Sequence, residues 1–170
     1  MTRPLPAPIE TPRLALEPIT PDAAPEMLPV LAHPAIYRFT GGEAPTLSTL
    51  RDRYARQSTG RSPDGAQWWF NWMVRSDGAA VGFVQATVDD VDGDRVAALA
   101  WVLSPTAQGR GFATEAAEAA TAWLAGHGCR RFTASIHPAH SASAGVARRL
   151  GMAPTGVVDD DGEDQWAVEA

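Results

Sequence analysis

No lysine occurs among the 170 residues, and all fourteen basic side chains are arginine. A phosphate loop of the Gly-Lys-Ser/Thr type is therefore excluded. Cys129 is the single cysteine, so no intramolecular disulfide and no cysteine-rich metal cage can form. Four scattered histidines add no metal-ligating cluster, and no metal is expected. No apolar run approaches the roughly 20 residues that cross a bilayer. The opening MTRPLPAPIE lacks the apolar core of an export signal, and the chain reads as cytoplasmic. Basic excess is missing too. The net charge is −6, but Val157–Ala170 carries six acids and no base, and the remainder holds fourteen of each sign. A neutral body offers no footprint for nucleic acid or an anionic membrane, so neither is expected as a partner. The length and a hydrophobic fraction of 45% suit one domain over residues 1–170.

Alternation over Thr11–Pro18, ending at proline, predicts an edge strand. Met27, Leu28 and Leu31 at helical spacing predict a helix over Pro21–Ala32 with Thr20 as its cap. A second short helix is predicted over Leu47–Gln57, opened by Thr46 or Ser48, and Thr59–Ala66 reads as loop. Gln67–Arg75 is dense in aromatic and β-forming residues and reads as strand, turned by Ser76-Asp77-Gly78 into Ala80–Val88. Asp89–Asp94 reads as an acidic turn, and the largely apolar Val96–Leu103 as a central strand. After Pro105 the period changes to 3.6. Ala113–Ala125 places Ala116, Ala117, Ala120 and Leu124 on one stripe, with Gly126 or Gly128 as its stop. Strand Arg131–Ile136, helix Ser141–Leu150 ended by Gly151, and a hairpin of Ala153–Val158 with Gln165–Val168 complete a mixed α/β chain with one sheet.

The stretch Val102-Leu103-Ser104-Pro105-Thr106-Ala107-Gln108-Gly109-Arg110-Gly111-Phe112-Ala113-Thr114 carries most chemistry. A buried strand enters a loop with two glycines, and the loop opens directly into a helix. Backbone N–H groups then converge beside the positive end of the helix dipole, which makes a cradle for a pyrophosphate. Gly109 and Gly111 permit close backbone approach, Ala113 leaves the helix start uncluttered, and Arg110 can add a charge-assisted contact.

Gln108-x-x-Gly111-x-Ala113 resembles the acetyl-CoA signature of the GNAT N-acetyltransferase superfamily. Gln-Gly-Arg-Gly-Phe-Ala-Thr-Glu-Ala around it is similar to the ribosomal-protein N-terminal acetyltransferases, the RimJ/RimL-like subgroup. Glu10-Thr-Pro-Arg-Leu, Tyr37-Arg-Phe-Thr-Gly-Gly42 and Ala147-Arg-Arg-Leu-Gly-Met152 extend the likeness in order along nearly the whole chain. The resemblance implies a twisted mixed sheet, largely antiparallel, with helices on both faces and two splayed central strands. It implies acetyl-CoA as donor and direct attack on it, in a ternary complex, by the amine of a protein N-terminus or a small molecule. A homodimer is expected by analogy alone. The rival expectation is a catalytically silent acyl-CoA-binding or regulatory module.

That rival is motivated by departures from the family pattern. His140 stands where the family often has an asparagine on the pantetheine arm. Ala97–Trp101 carries no acid where a general base is frequent, and no tyrosine lies near the last helix. The implied cofactor contacts are Val102, Leu103, Gln108, Gly109, Arg110, Gly111, Ala113, Thr114 and His140, with a backbone N–H near Val102 or Leu103 polarising the thioester. Ser143 is the candidate proton donor to the leaving thiolate, or else a helix-cap serine. His140 is a candidate for acid–base work, with cofactor contact the favoured reading. His137 is a weaker candidate, and His33 and His127 read as loop and cap residues. Alternation puts Trp68, Phe70 and Trp72 on one strand face, and Trp69 with Asn71 on the other. One set is core; the other, Trp69 and Asn71, is the candidate acceptor groove. The acidic turn Asp159–Asp164 is a solvated turn unless it borders that groove, where it would attract a cationic amine.

Overall fold

The computed structural model describes residues 3–170. Its strands are β1 Ile9–Glu10, β2 Ala15–Pro18, β3 Trp68–Ser76, β4 Ala79–Val91, β5 Asp94–Leu103, β6 Cys129–Ile136, β7 Ala153–Val158 and β8 Asp164–Glu169. They form one sheet in the order β1-β2-β3-β4-β5-β6-β8-β7. Every neighbouring pair is antiparallel except β5 with β6. The helices are α1 Ala24–Val30, α2 Tyr37–Thr40, α3 Leu47–Ser58, α4 Phe112–Gly126 and α5 Ser141–Arg149. None is long and apolar enough to cross a membrane among the described residues.

Two tight hairpins order the middle of the sheet. Asp77 and Gly78 have φ of 49° and 79°, and Asp92 and Gly93 have φ of 52° and 91°. Two successive left-handed residues give the turn whose twist matches paired strands. The second hairpin corrects the broad acidic turn expected over Asp89–Asp94. Asp89 and Asp90 stay in the ladder opposite Val96 and Arg95, and Asp90 pairs with the Arg95 guanidinium at 3.7 Å. Cross-strand charge complementarity and ladder bonds outweigh the poor strand propensity of aspartate.

Helices cover both sheet faces. Phe70, Trp72 and Val74 of β3 are fully buried on the side of α4 and α5. Trp123 of α4 closes on Phe70 and Trp72, with ring centroids 5.4 and 5.5 Å apart. The predicted stripe Ala116, Ala117, Ala120 and Leu124 is buried there. Met73 points the other way and packs with Met27, Leu31, Leu50 and Tyr54 beneath α1 and α3. At the end of α4, Gly128 takes the left-handed conformation, with φ of 94°.

Two expectations near the N-terminus are corrected. The segment Thr11–Pro18 is not an edge strand: β2 is flanked by β3 and by the two-residue β1, reached through a turn in which Thr11 N–H donates to the Leu14 carbonyl. Thr20 makes no side-chain cap, because a 3-10 turn over Pro21–Ala23 precedes α1. Thr46 does cap α3, its Oγ1 accepting from Thr49 N–H at 3.2 Å.

Candidate acetyl-CoA site

The parallel pair at the sheet centre is incomplete. β5 and β6 are in register only from Arg95–Ala98 against Cys129–Thr133. Beyond that point Leu99–Leu103 keeps its ladder to β4, while Ala134–Ile136 keeps its ladder to β8. The two strands therefore separate toward their C-terminal ends and leave a slot. Ser104 N–H donates to the Val81 carbonyl at 2.8 Å. Antiparallel alternation then turns Val102 and Ala100 toward β4, and the N–H groups of Trp101 and Leu103 toward the slot. The Leu103 carbonyl faces the same way and accepts from Gln108 Nε2 at 3.1 Å. Gln108 thus fastens the glycine loop to the end of β5.

At the slot's mouth the loop becomes α4. Gly109 and Gly111 have φ of 76° and 78°, a region that side chains with a Cβ rarely adopt. The first bond of the helix runs from Glu115 N–H to the Gly111 carbonyl. The amides of Phe112, Ala113 and Thr114 precede it and have no intrahelical acceptor. Thr114 Oγ1 is buried without a hydrogen-bond partner. Arg110 is exposed, its guanidinium 4.5 Å from the Phe112 ring centroid. Left-handed glycines, outward amides, an orphaned hydroxyl and an arginine fit the pyrophosphate of a coenzyme.

The cradle is braced from the start of the chain, a connection not foreseen from sequence. Glu115 Oε1 accepts from Thr11 Oγ1 at 2.7 Å and from Arg13 N–H at 3.0 Å. Its Oε2 accepts from Arg13 Nε at 2.6 Å, and Arg13 Nη2 lies 2.6 Å from the same oxygen. Arg13 Nη1 donates to the Arg110 carbonyl at 2.7 Å. Burial alone would raise the Glu115 pKa, but the bonds from Thr11 and Arg13 hold it below the ordinary value. The only earlier signal was that both segments belonged to the family likeness.

His140 precedes α5 and caps it, Nδ1 accepting from Ser143 N–H at 3.4 Å. Its ring stacks on Phe39 of α2 at 4.4 Å, and His137 lies 5.3 Å from the same phenylalanine. Burial, with His137 adding to it, lowers the His140 pKa, so the ring is neutral near pH 7. Ser143 is half-buried in the first turn of α5. Phe39 was legible only as part of a likeness motif. His127 ends α4, as expected, whereas His33, expected as a loop residue, caps a 3-10 turn. Cys129 is buried, which pushes its thiol pKa up and leaves it a poor nucleophile.

Trp69 and Asn71 project from the sheet face opposite α4. With Arg53, Arg56 and Gln57 of α3, and Gln85, Ala86 and Thr87 of β4, they line a cleft of about 320 Å³. A second cleft of about 310 Å³ adjoins it beneath Tyr54. The acidic turn lines neither cleft. Asp159 instead accepts from the N–H groups of Asp161 and Glu163 within its own turn.

The comparisons with known proteins agree with this fold. Residues 13–153 match the family model described as acetyltransferase (GNAT) domain. No curated protein matches in sequence at a significant level. Among solved structures, a GNAT-family acetyltransferase from Bacillus anthracis is 17% identical, with 96% of this chain and 98% of that chain covered and a TM-score of 0.76. The RimL ribosomal L7/L12 α-N-protein acetyltransferase in complex with coenzyme A is 16% identical, with the same coverages and a TM-score of 0.83. AAC(6')-Ib with paromomycin and acetyl-CoA is 17% identical, covering 92% of this chain and 93% of that chain at a TM-score of 0.77. The likenesses establish a shared fold, and the family model spans most of the chain. The chain belongs to the GNAT acetyltransferase family and is an acetyltransferase.

Proposed function

We propose that residues 1–170 form one domain that transfers an acetyl group from acetyl-CoA to a primary amine by direct attack in a ternary complex. The observation that carries this reading is the slot between β5 and β6 opening onto the cradle of Gly109–Thr114. The coenzyme supplies an acetyl thioester, whose sulfur is a tolerable leaving group because a thiol has a pKa of about 8.5. The amine attacks the thioester carbonyl carbon, the C–S bond breaks, and the sulfur takes a proton.

The chain's residues divide the remaining tasks. Gln108, Gly109, Arg110, Gly111, Ala113 and Thr114 hold the pyrophosphate. Val102 and Leu103 border the acyl end, and the slot-facing Leu103 N–H is the donor suited to the carbonyl oxygen. Ser143 supplies the proton to the thiolate. His140 holds the coenzyme arm. Its Nδ1 accepts from Ser143 N–H, so the neutral ring carries its proton on Nε2 and presents a donor, not a base. With no carboxylate on Ala97–Trp101, the acceptor arrives neutral or loses its proton to water. Trp69 and Asn71 line the acceptor groove. A protein N-terminus and a small-molecule amine both remain within the proposal, as do a cytoplasmic location and a homodimer.

Thiol release from acetyl-CoA, followed across amino acids, peptides with unblocked N-termini and aminoglycosides, tests this reading. Release with at least one class is expected, and Ser143→Ala should lower kcat. No release with any amine would overturn the assignment in favour of a silent acyl-CoA-binding module.

A further inference from the structure

The acceptor groove has a charge of its own. Arg53 and Arg56 lie three residues apart on one side of α3 and overhang Trp69 and Asn71. Both are exposed, and among the described residues neither belongs to an ion pair. No aspartate or glutamate lines this cleft or its neighbour. The other polar side chains of this cleft are amides and a hydroxyl, Gln57, Asn71, Gln85 and Thr87, beside the apolar Trp69 and Ala86.

Two buried atoms beside these arginines lack partners. Tyr54 is 3% exposed, and its hydroxyl makes no hydrogen bond. Gln57 Oε1 is likewise buried and unpaired. Both residues line the second cleft, which shares Arg53, Gln57 and Gln85 with the first. Burial pushes the Tyr54 phenol up to about 12, so it keeps its proton as a donor. Buried polar groups without partners are uncommon, because each loses its hydration for nothing. Here the Tyr54 hydroxyl is a spare donor for an anionic group, and Gln57 Oε1 a spare acceptor suited to the ligand's ammonium.

The groove also reaches the slot. Gln85 is in register with Ala100, and Thr87 with Ala98, the last β5 residue still paired to β6. Neighbouring strands lie roughly 4.8 Å apart. A ligand on Gln85 is thus one strand from where the sheet opens.

We infer that the acceptor is an anionic primary amine, whose carboxylate or phosphate is held by Arg53 and Arg56 while its amine reaches the slot past Gln85. Guanidinium groups match both anions in geometry and keep their charge at any working pH. A cleft of this size holds a small metabolite or the first residues of a peptide. A polycationic amine meets two arginines and no carboxylate. This inference rests on the proposed acetyl transfer but concerns the acceptor alone.

Two matched pairs test it: leucine against leucinamide, and O-phosphoethanolamine against ethanolamine. Each is measured by calorimetric binding in the presence of coenzyme A and by thiol release from acetyl-CoA. At least one member bearing the anionic group should bind and turn over tenfold or more better than its counterpart without it. The preferred pair identifies carboxylate or phosphate as the group recognised. In Arg53→Gln/Arg56→Gln the ratio should fall below two, with the acetyl-CoA KM unchanged. Ratios below two in the wild type, or a ratio unchanged in the variant, overturn the inference. Selective binding without thiol release for any amine upholds the anion site and sinks the acetyl-transfer reading. Release without charge selectivity does the reverse.

Discussion

Replacing Glu115 by glutamine isolates the brace between the chain's start and the cradle. Glutamine keeps the shape and one carbonyl oxygen, so the bonds from Thr11 and Arg13 N–H to Oε1 survive as neutral ones. What disappears is the charge and the paired contact of Oε2 with Arg13. A hydrogen bond to a charged group contributes roughly 1.5–3 kcal/mol. The Arg13 side chain is 49% exposed, which brings its share toward the ~0.5–1 kcal/mol of a surface pair, while Glu115 is only 16% exposed. A net loss of about 2 kcal/mol follows for the bonds to a mostly buried carboxylate. In a chain of this size that is a fall in Tm of about 4–8 °C. The Glu115 pKa is lowered in the folded protein, so its stabilisation is whole above the unfolded value near 4.3 and is lost as pH falls through the folded value. Thermal unfolding of both proteins at pH 7 and pH 3.5 should show the full gap at pH 7 and a narrower one at pH 3.5. A gap below about 1 °C at pH 7, or one equal at both pH values, refutes the brace.

Gly111→Val forces a β-branched residue to φ of 78° and brings its Cβ within 3.3 Å of Arg13 Nη2. Coenzyme affinity measured by calorimetry should fall tenfold or more, at least ~1.4 kcal/mol, and unchanged affinity in the folded variant counts against the cradle. His140→Ala should raise the acetyl-CoA KM more than it lowers kcat, since contacts equal in ground and transition states appear in KM. Because the His140 pKa is depressed, a base role would put a kcat limb below pH 6.5 that vanishes in the variant with a hundredfold loss; that outcome would refute cofactor contact. In Gly82→Ala the new Cβ would sit 2.0 Å from the Val102 carbonyl oxygen and 2.8 Å from Leu103 Cδ2. Overpacking there should cost about 3 kcal/mol, read as a lower urea midpoint, and a midpoint equal to wild type contradicts the close approach.

The cradle was legible because its parts are contiguous. A strand end, two glycines and a helix start within Leu103–Thr114 need only local geometry to converge. The faces of β3 were legible too, because period-two alternation separates Phe70 and Trp72 from Trp69 and Asn71 whatever packs on them. What stayed hidden depends on distant pairing. Nothing in Thr11-Pro-Arg13 announces a partner at Glu115, and nothing in Arg53 or Arg56 says which sheet face lies below them. Phe39 meets His137 and His140 only through the fold, since the segments are far apart in sequence. Composition also misled at Asp89 and Asp90, whose turn-like character gives way to the ladder with Arg95.

The brace carries a consequence for how the protein is made. Thr11 and Glu115 are separated by 104 positions. At synthesis rates of roughly 5–20 residues per second, the carboxylate emerges on the order of ten seconds after the threonine it must meet. Through that interval β2 has only β1 beside it until Trp68–Ser76 arrives. The glycine loop is then tightened by a segment made 104 positions earlier. A ribosome stalled before residue 115 therefore presents a chain with no closed cradle, and competence for the ligand becomes a late event in translation.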